Sequence, residues 1–125
     1  MTKKTNHDPK LKESIQKLQK ALKHENKIHD DPVYLAGIIK CFEVSIEYSW
    51  KLMKRETTKQ GYEVYSPREA IKLAGKTKII DDVELWLNFL EDRNLSVHDY
   101  LGIPEKEYLE LIKRYLIEAK KLILK

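Results

Sequence analysis

Apolar residues recur at helical spacing along almost the whole chain, and polar or proline-bearing breaks separate the recurrences. From Pro9 they fall at Leu11, Ile15, Leu18 and Leu22, one stripe surrounded by Lys, Gln and Glu. That pattern predicts a helix fading near Asn26. Asp31-Pro32 is a strong start signal, an acidic N-cap followed by proline in the first turn. The helix it opens is the longest, about Pro32 to Gln60, with Gly61 as a left-handed closing residue. One of its stripes holds Leu35, Ile38, Ile39, Phe42, Ile46, Ser49, Trp50 and Met53, and a second holds Tyr34, Cys41, Ser45, Tyr48 and Leu52. Two stripes imply either a central position or one face in the core and another against a partner chain. Ser66-Pro67-Arg68-Glu69 reads as a capping box opening a short helix that ends near Gly75. Asp81-Asp82-Val83-Glu84 opens a fourth helix. Pro104 opens a fifth, with Tyr108, Leu111, Ile112, Tyr115, Ala119, Leu122 and Ile123 along one side. No stretch alternates long enough for a strand. The expected fold is all-α, an antiparallel up-and-down bundle of four long helices and one short one, over residues 9–125. Residues 1–8 are polar and aperiodic and are expected to form a disordered tail.

Composition adds little that this pattern lacks. A chain of 125 residues is one domain, and 35% charged residues with four Gly and four Pro favour helices over turns. The net charge of +4 suits a polyanionic partner and equally an ordinary soluble helical protein. The single cysteine, Cys41, excludes an internal disulfide and fits a reducing cytoplasm. No apolar run is long enough for a membrane span and the Lys-rich start is no signal peptide, so a cytoplasmic protein is expected. His7, His24 and His29 show no ligand spacing, so neither a metal nor a cofactor is expected.

Candidate chemistry concentrates in Glu91-Asp92-Arg93-Asn94-Leu95-Ser96-Val97-His98-Asp99-Tyr100. Arg93 offers a planar fork of donors that fits a phosphate. His98 both gives and takes a proton near neutral pH. On an unbroken helix Val83, Trp86, Leu87, Leu90, Asn94 and Val97 form the core stripe, with Arg93 about 80° to one side and His98 about 60° to the other. Either the helix loosens near His98, or the two groups converge across the stripe, or a second copy of the chain completes the site. A smaller stripe of Leu85, Phe89 and Ser96, beside Arg93 and Tyr100, offers a surface for self-association.

Phe42-Glu43 with Glu47 and Trp50-Lys51, Ser66-Pro67-Arg68-Glu69, Leu85-Trp86-Leu87, Leu90-Glu91-Asp92-Arg93-Asn94, then His98 and Tyr100 occur in one order and spacing. In that arrangement the chain resembles the nucleotidyltransferase substrate-binding family of the HEPN superfamily, which includes the HepT toxins. It departs from the pattern at Cys41, where a basic residue is usual, and at Val97, where a small hydroxyl residue is usual. The resemblance implies a homodimeric bundle with a metal-independent ribonuclease site at the subunit interface. It implies catalytic roles for Arg93 and His98, and a minimal nucleotidyltransferase antitoxin that adds AMP to Tyr100.

Blander roles stand beside these. Arg93 pairs with Glu47 or another carboxylate, His98 caps a helix end, and Tyr100 closes the core with its hydroxyl outside. Asn94 on the core stripe needs hydrogen-bond partners and, with Asp92, is assigned to supporting the site. Trp50 and Trp86 are expected in the core. Three classes of function remain: a ribonuclease toxin acting on RNA, a non-catalytic adaptor of a nucleotidyltransferase, and a helical scaffold.

Overall fold

In a computed structural model the backbone is described for residues 8–99 and 105–124, and side chains for 8–93 and 105–124. Five α-helices make up the fold: α1 Pro9–Leu22, α2 Pro32–Lys59, α3 Pro67–Lys76, α4 Val83–Asp99 and α5 Glu105–Leu124. A 3-10 turn, Glu25–Lys27, lies between the first two. No strand occurs among the described residues.

Local chemistry sets most of the boundaries. Asp8, assigned above to the tail, is instead the N-cap of α1: its carboxylate accepts from Leu11 N at 3.0 Å and from Arg55 Nη2 at 3.0 Å. Asp31 caps α2 by accepting from Val33 N at 2.9 Å. Gly61, at φ +100°, lets the chain leave α2 in a left-handed turn that a side chain would strain. At α3 the Ser66 hydroxyl accepts from Glu69 N at 3.1 Å, while the Glu69 carboxylate reaches back to Tyr65 N at 2.7 Å. Asp82 opens α4, accepting from Leu85 N at 3.0 Å. Gly75 serves packing rather than helix termination. α3 runs on to Lys76, and a Cβ on Gly75 would stand 2.0 Å from Val83 Cγ2 at the start of α4.

α1 packs on α2 and α5, and α4 packs on the same two helices, so α1 and α4 take diagonal corners while α3 lies across α2 and α4. Direction follows from paired contacts. Asp8 meets Arg55 and Ser14 meets Ser45, so α1 and α2 are antiparallel. Asp92 meets Tyr108 and Trp86 meets Tyr115, so α4 and α5 are antiparallel. α2 touches each of the other four α-helices; in its second stripe Ser45 and Leu52 are buried, and Tyr34, Cys41 and Tyr48 are half-buried.

The core is an aromatic cluster. Phe42, Trp86, Phe89 and Tyr115 meet edge to face at centroid distances of 5.3–5.7 Å, and Tyr108 joins Phe42 at 6.0 Å. Such pairs contribute about 0.5–1.5 kcal/mol each beyond area burial. The fully buried Tyr115 hydroxyl finds partners in Ser45 Oγ at 2.6 Å and Ser49 Oγ at 2.7 Å. Ser14 Oγ lies 3.1 Å from Ser45 Oγ and so ties in α1. A phenol in this position stays neutral, because burial pushes its pKa well above the usual value despite the two serine contacts.

Candidate functional site

α4 is turned further toward Phe89 than the apolar pattern alone implies. Trp86, Leu87, Phe89 and Leu90 are all buried, and Phe89 has no exposed surface. Phe89 therefore belongs to the core and not to a self-association stripe, a correction to the expectation above; Leu85 beside it is half-buried. The physical reason is the aromatic cluster: Phe89 fills the edge-to-face space left by Trp86 and Tyr115. One turn after Phe89 on the same side comes Arg93, so the packing that seats the phenyl ring also turns the guanidinium toward α2.

There it meets Glu47. Arg93 Nη2 lies 3.0 Å from Glu47 Oε2, with the two side chains 25% and 33% exposed. Glu47 is itself held from two directions. Trp50 Nε1 donates to its Oε2 at 3.2 Å, and Lys51 Nζ lies 3.8 Å from its Oε1. Trp50 is thus half-buried at this corner with its indole N–H in use, rather than a core residue like Trp86. Spacing alone carries the signal: Glu47, Trp50 and Lys51 stand at i, i+3 and i+4 on one face of α2. Asp92, next to Arg93 in the chain, is half-buried on the side of α4 toward α5, where its backbone carbonyl accepts from the Tyr108 hydroxyl at 3.4 Å. Burial and the neighbouring Glu91 push the Asp92 carboxyl above its ordinary range.

α4 stays helical through Asp99, which removes a loosened helix at His98 from the three ways of joining Arg93 and His98. Unbroken helix turns about 140° between residues 93 and 98, leaving convergence across the stripe or completion by a second copy. The side chains of Asn94 and His98, and Tyr100 entirely, lie outside the described residues. Of the expected site, then, the side chains of Arg93 and Asp92 are described; Arg93 pairs with Glu47, the partner its plainer role named, and Trp50 is added through its bond to Glu47.

Chemically, this corner holds a partly exposed cation against the Glu47 carboxylate. A phosphate arriving at Arg93 shares the guanidinium with Glu47 or displaces it. Elsewhere, a groove of about 720 Å³ lies between the 3-10 turn and the first turns of α5. Across it Lys113 Nζ lies 2.8 Å from Glu25 Oε2, and His29 Nε2 lies 3.5 Å from Glu105 Oε2. Among the described residues no group of three His, Cys, Asp or Glu could hold a metal ion, and no helix is long and apolar enough to cross a membrane.

A family model described as "Nucleotidyltransferase substrate binding protein like" matches residues 9–125. The chain belongs to that family. No curated protein matches the sequence. For a substrate-binding-like protein of this kind, association with a nucleotidyltransferase is what the family name implies. The matched range takes in all five helices, so the Arg93–Glu47 corner lies inside the family domain.

Proposed function

We propose that this nucleotidyltransferase substrate-binding-like protein is a HepT-like toxin of the HEPN superfamily, a metal-independent endoribonuclease that acts as a homodimer. The supporting observation is Arg93, held partly exposed at the α2–α4 corner on a helix that continues through residue 98. Arg93 and His98 are the catalytic residues in this reading, with Asn94 and Asp92 supporting them. RNA supplies its own nucleophile. The 2′-hydroxyl loses its proton to an imidazole and its oxygen bonds to phosphorus. The bond to the 5′-oxygen then breaks, and that oxygen takes a proton from an acid. Arg93 stabilises the extra negative charge on the phosphorane. A two-fold dimer supplies a second histidine, so one serves as base and the other as acid. A minimal nucleotidyltransferase neutralises the protein by AMP transfer. The Tyr100 phenol oxygen bonds to the α-phosphorus of ATP, pyrophosphate leaves, and the phenol proton passes to solvent. The added phosphate places negative charge near the motif.

Purified protein should cut RNA in the presence of EDTA. Arg93→Ala and His98→Ala should each slow cleavage by about 10²-fold or more. Undiminished cleavage by either variant removes that residue from the mechanism, and absence of cleavage by pure wild-type protein rejects the nuclease.

The salt bridge to Glu47 favours a second reading, because an arginine already matched by a carboxylate is also what a non-catalytic adaptor of a nucleotidyltransferase needs for stability alone. Mass spectrometry after co-expression with the nucleotidyltransferase separates the two. A gain of AMP on Tyr100 supports toxin and antitoxin; a tight complex with neither modification nor RNA cleavage supports the adaptor.

A further inference from the structure

The outer face of α1 carries cations that neither the core nor the Arg93 corner uses. Leu11, Ile15, Leu18 and Leu22 place the apolar side of this helix in the core. Lys12, Gln16, Gln19, Lys20 and Lys23, all exposed, lie within one arc of about 100° centred about 120° around the helix from that side. Lys20 and Lys23 line a shallow groove of about 410 Å³ with the two glutamines. No carboxylate occurs from Gln16 through His24, and Glu13, one turn earlier, faces Lys17 at 4.0 Å. Lys12, Lys20 and Lys23 make no ion pair with a described residue.

We infer that this face of α1 is a docking surface for the RNA backbone. Its composition favours nucleic acid over an acidic protein. Protein interfaces centre on apolar and aromatic anchors and are depleted in lysine, whereas this face is lysine and glutamine without an apolar side chain. Ammonium groups contact phosphates, and a glutamine amide both donates and accepts, so it serves phosphate oxygens and 2′-hydroxyls alike. Because α1 and α4 stand at diagonal corners, RNA held here is sequence flanking the cut and not the reacting phosphate. The surface adds affinity and leaves the chemistry to α4. This inference rests on the RNA-directed reading of the chain.

Fluorescence anisotropy of a labelled oligouridine across a salt series tests it, with His98→Ala protein so that the probe is not consumed. Lys12→Gln/Lys20→Gln/Lys23→Gln should weaken binding by about ten-fold or more at low salt, and should flatten the slope of log affinity against log salt by about 2, at ~0.7 per lost phosphate contact. The control Lys54→Gln/Lys72→Gln/Lys106→Gln removes equal charge elsewhere and should change affinity by less than about two-fold. Equal losses in both triple variants, or no binding of the probe to begin with, overturn the inference. So does intact RNA binding accompanied by lost capture of the nucleotidyltransferase, which makes the face a protein contact. Failure of the nuclease reading looks different: wild-type protein binds oligouridine through α1 and never cuts it. Cleavage with unchanged KM in the α1 variant is the opposite outcome, a nuclease without this docking surface.

Discussion

α1 and α4 occupy opposite corners of one bundle and follow different rules. On α1 the boundary between sides is sharp: Leu11, Ile15, Leu18 and Leu22 are buried, and the outer positions from Lys12 to Lys20 are lysine and glutamine apart from Glu13. On α4 Trp86, Leu87, Phe89 and Leu90 spread the buried arc so widely that its edge falls on a guanidinium. Their charges differ in sign as well. α1 carries Lys10, Lys12, Lys17 and Lys20 against Glu13, and α4 carries Glu84, Glu91, Asp92 and Asp99 against Arg93. Packing therefore fixes the orientation of the candidate site on α4, while on α1 it merely leaves a surface exposed. Core substitutions should disturb the first strongly and the second hardly at all.

The largest expected effect tests that asymmetry. Trp86→Ala removes a ring that touches Phe89 and Tyr115 and should cost about 3–5 kcal/mol in urea unfolding. Arg93 function should fall with it even where the protein remains folded. Leu18→Ala on α1 should cost about 2–5 kcal/mol and leave the Arg93–Glu47 contact in place. Equal loss of site function from both would break the contrast.

Next comes the N-cap of α1. Asp8→Ala should cost about 1 kcal/mol. Although burial alone raises the Asp8 carboxyl, the Leu11 N–H and Arg55 together hold its pKa below the ordinary value. A carboxylate depressed in the folded state contributes stability that is present above its unfolded pKa, roughly 3.9, and lost as pH falls through the lower folded value. Wild type should therefore lose its advantage over Asp8→Ala on acidification below about pH 4, measured as the difference in unfolding free energy. A difference independent of pH would remove the ionic part of the cap.

The Arg93–Glu47 pair should be worth less. A double-mutant cycle on Arg93→Ala and Glu47→Ala should give a coupling of about 0.2–1 kcal/mol, because both groups are partly exposed and screened. Zero coupling would mean that Glu47 has no part in aiming the arginine.

Asp92→Asn should act most weakly, and in the stabilising direction at neutral pH. The Asp92 carboxyl is raised by burial and by Glu91, so its ionised form opposes folding; that penalty is absent below its unfolded pKa and grows as pH rises through the folded value. The melting difference between Asp92→Asn and wild type should shrink on acidification. A variant that melts lower at pH 7 would contradict the burial argument.

The helices were readable because their signals are local. Asp31-Pro32, Ser66-Pro67-Arg68-Glu69 and the stripe from Leu11 to Leu22 each specify structure within a few turns, and each forms as the pattern implies. Asp8 was misplaced because a cap takes its meaning from the helix after it and, here, from Arg55 far along the chain. Phe89 was misassigned because a single-helix pattern cannot count neighbours, and this ring is buried by Trp86 and Tyr115 together. Arg93 was legible as a candidate, with Glu47 among its possible partners. The bracing of Glu47 by Trp50 needed α2 and α4 to be seen side by side.

The order of side chains along the chain determined by itself that this is a helical bundle with one polar, motif-rich stretch, since helix periodicity and capping act between near neighbours. Only the tertiary structure decided which way α4 faces and which carboxylate holds Arg93. Those depend on how five aromatic rings from three helices share one interior, a distance-dependent packing problem that no single stretch of sequence solves.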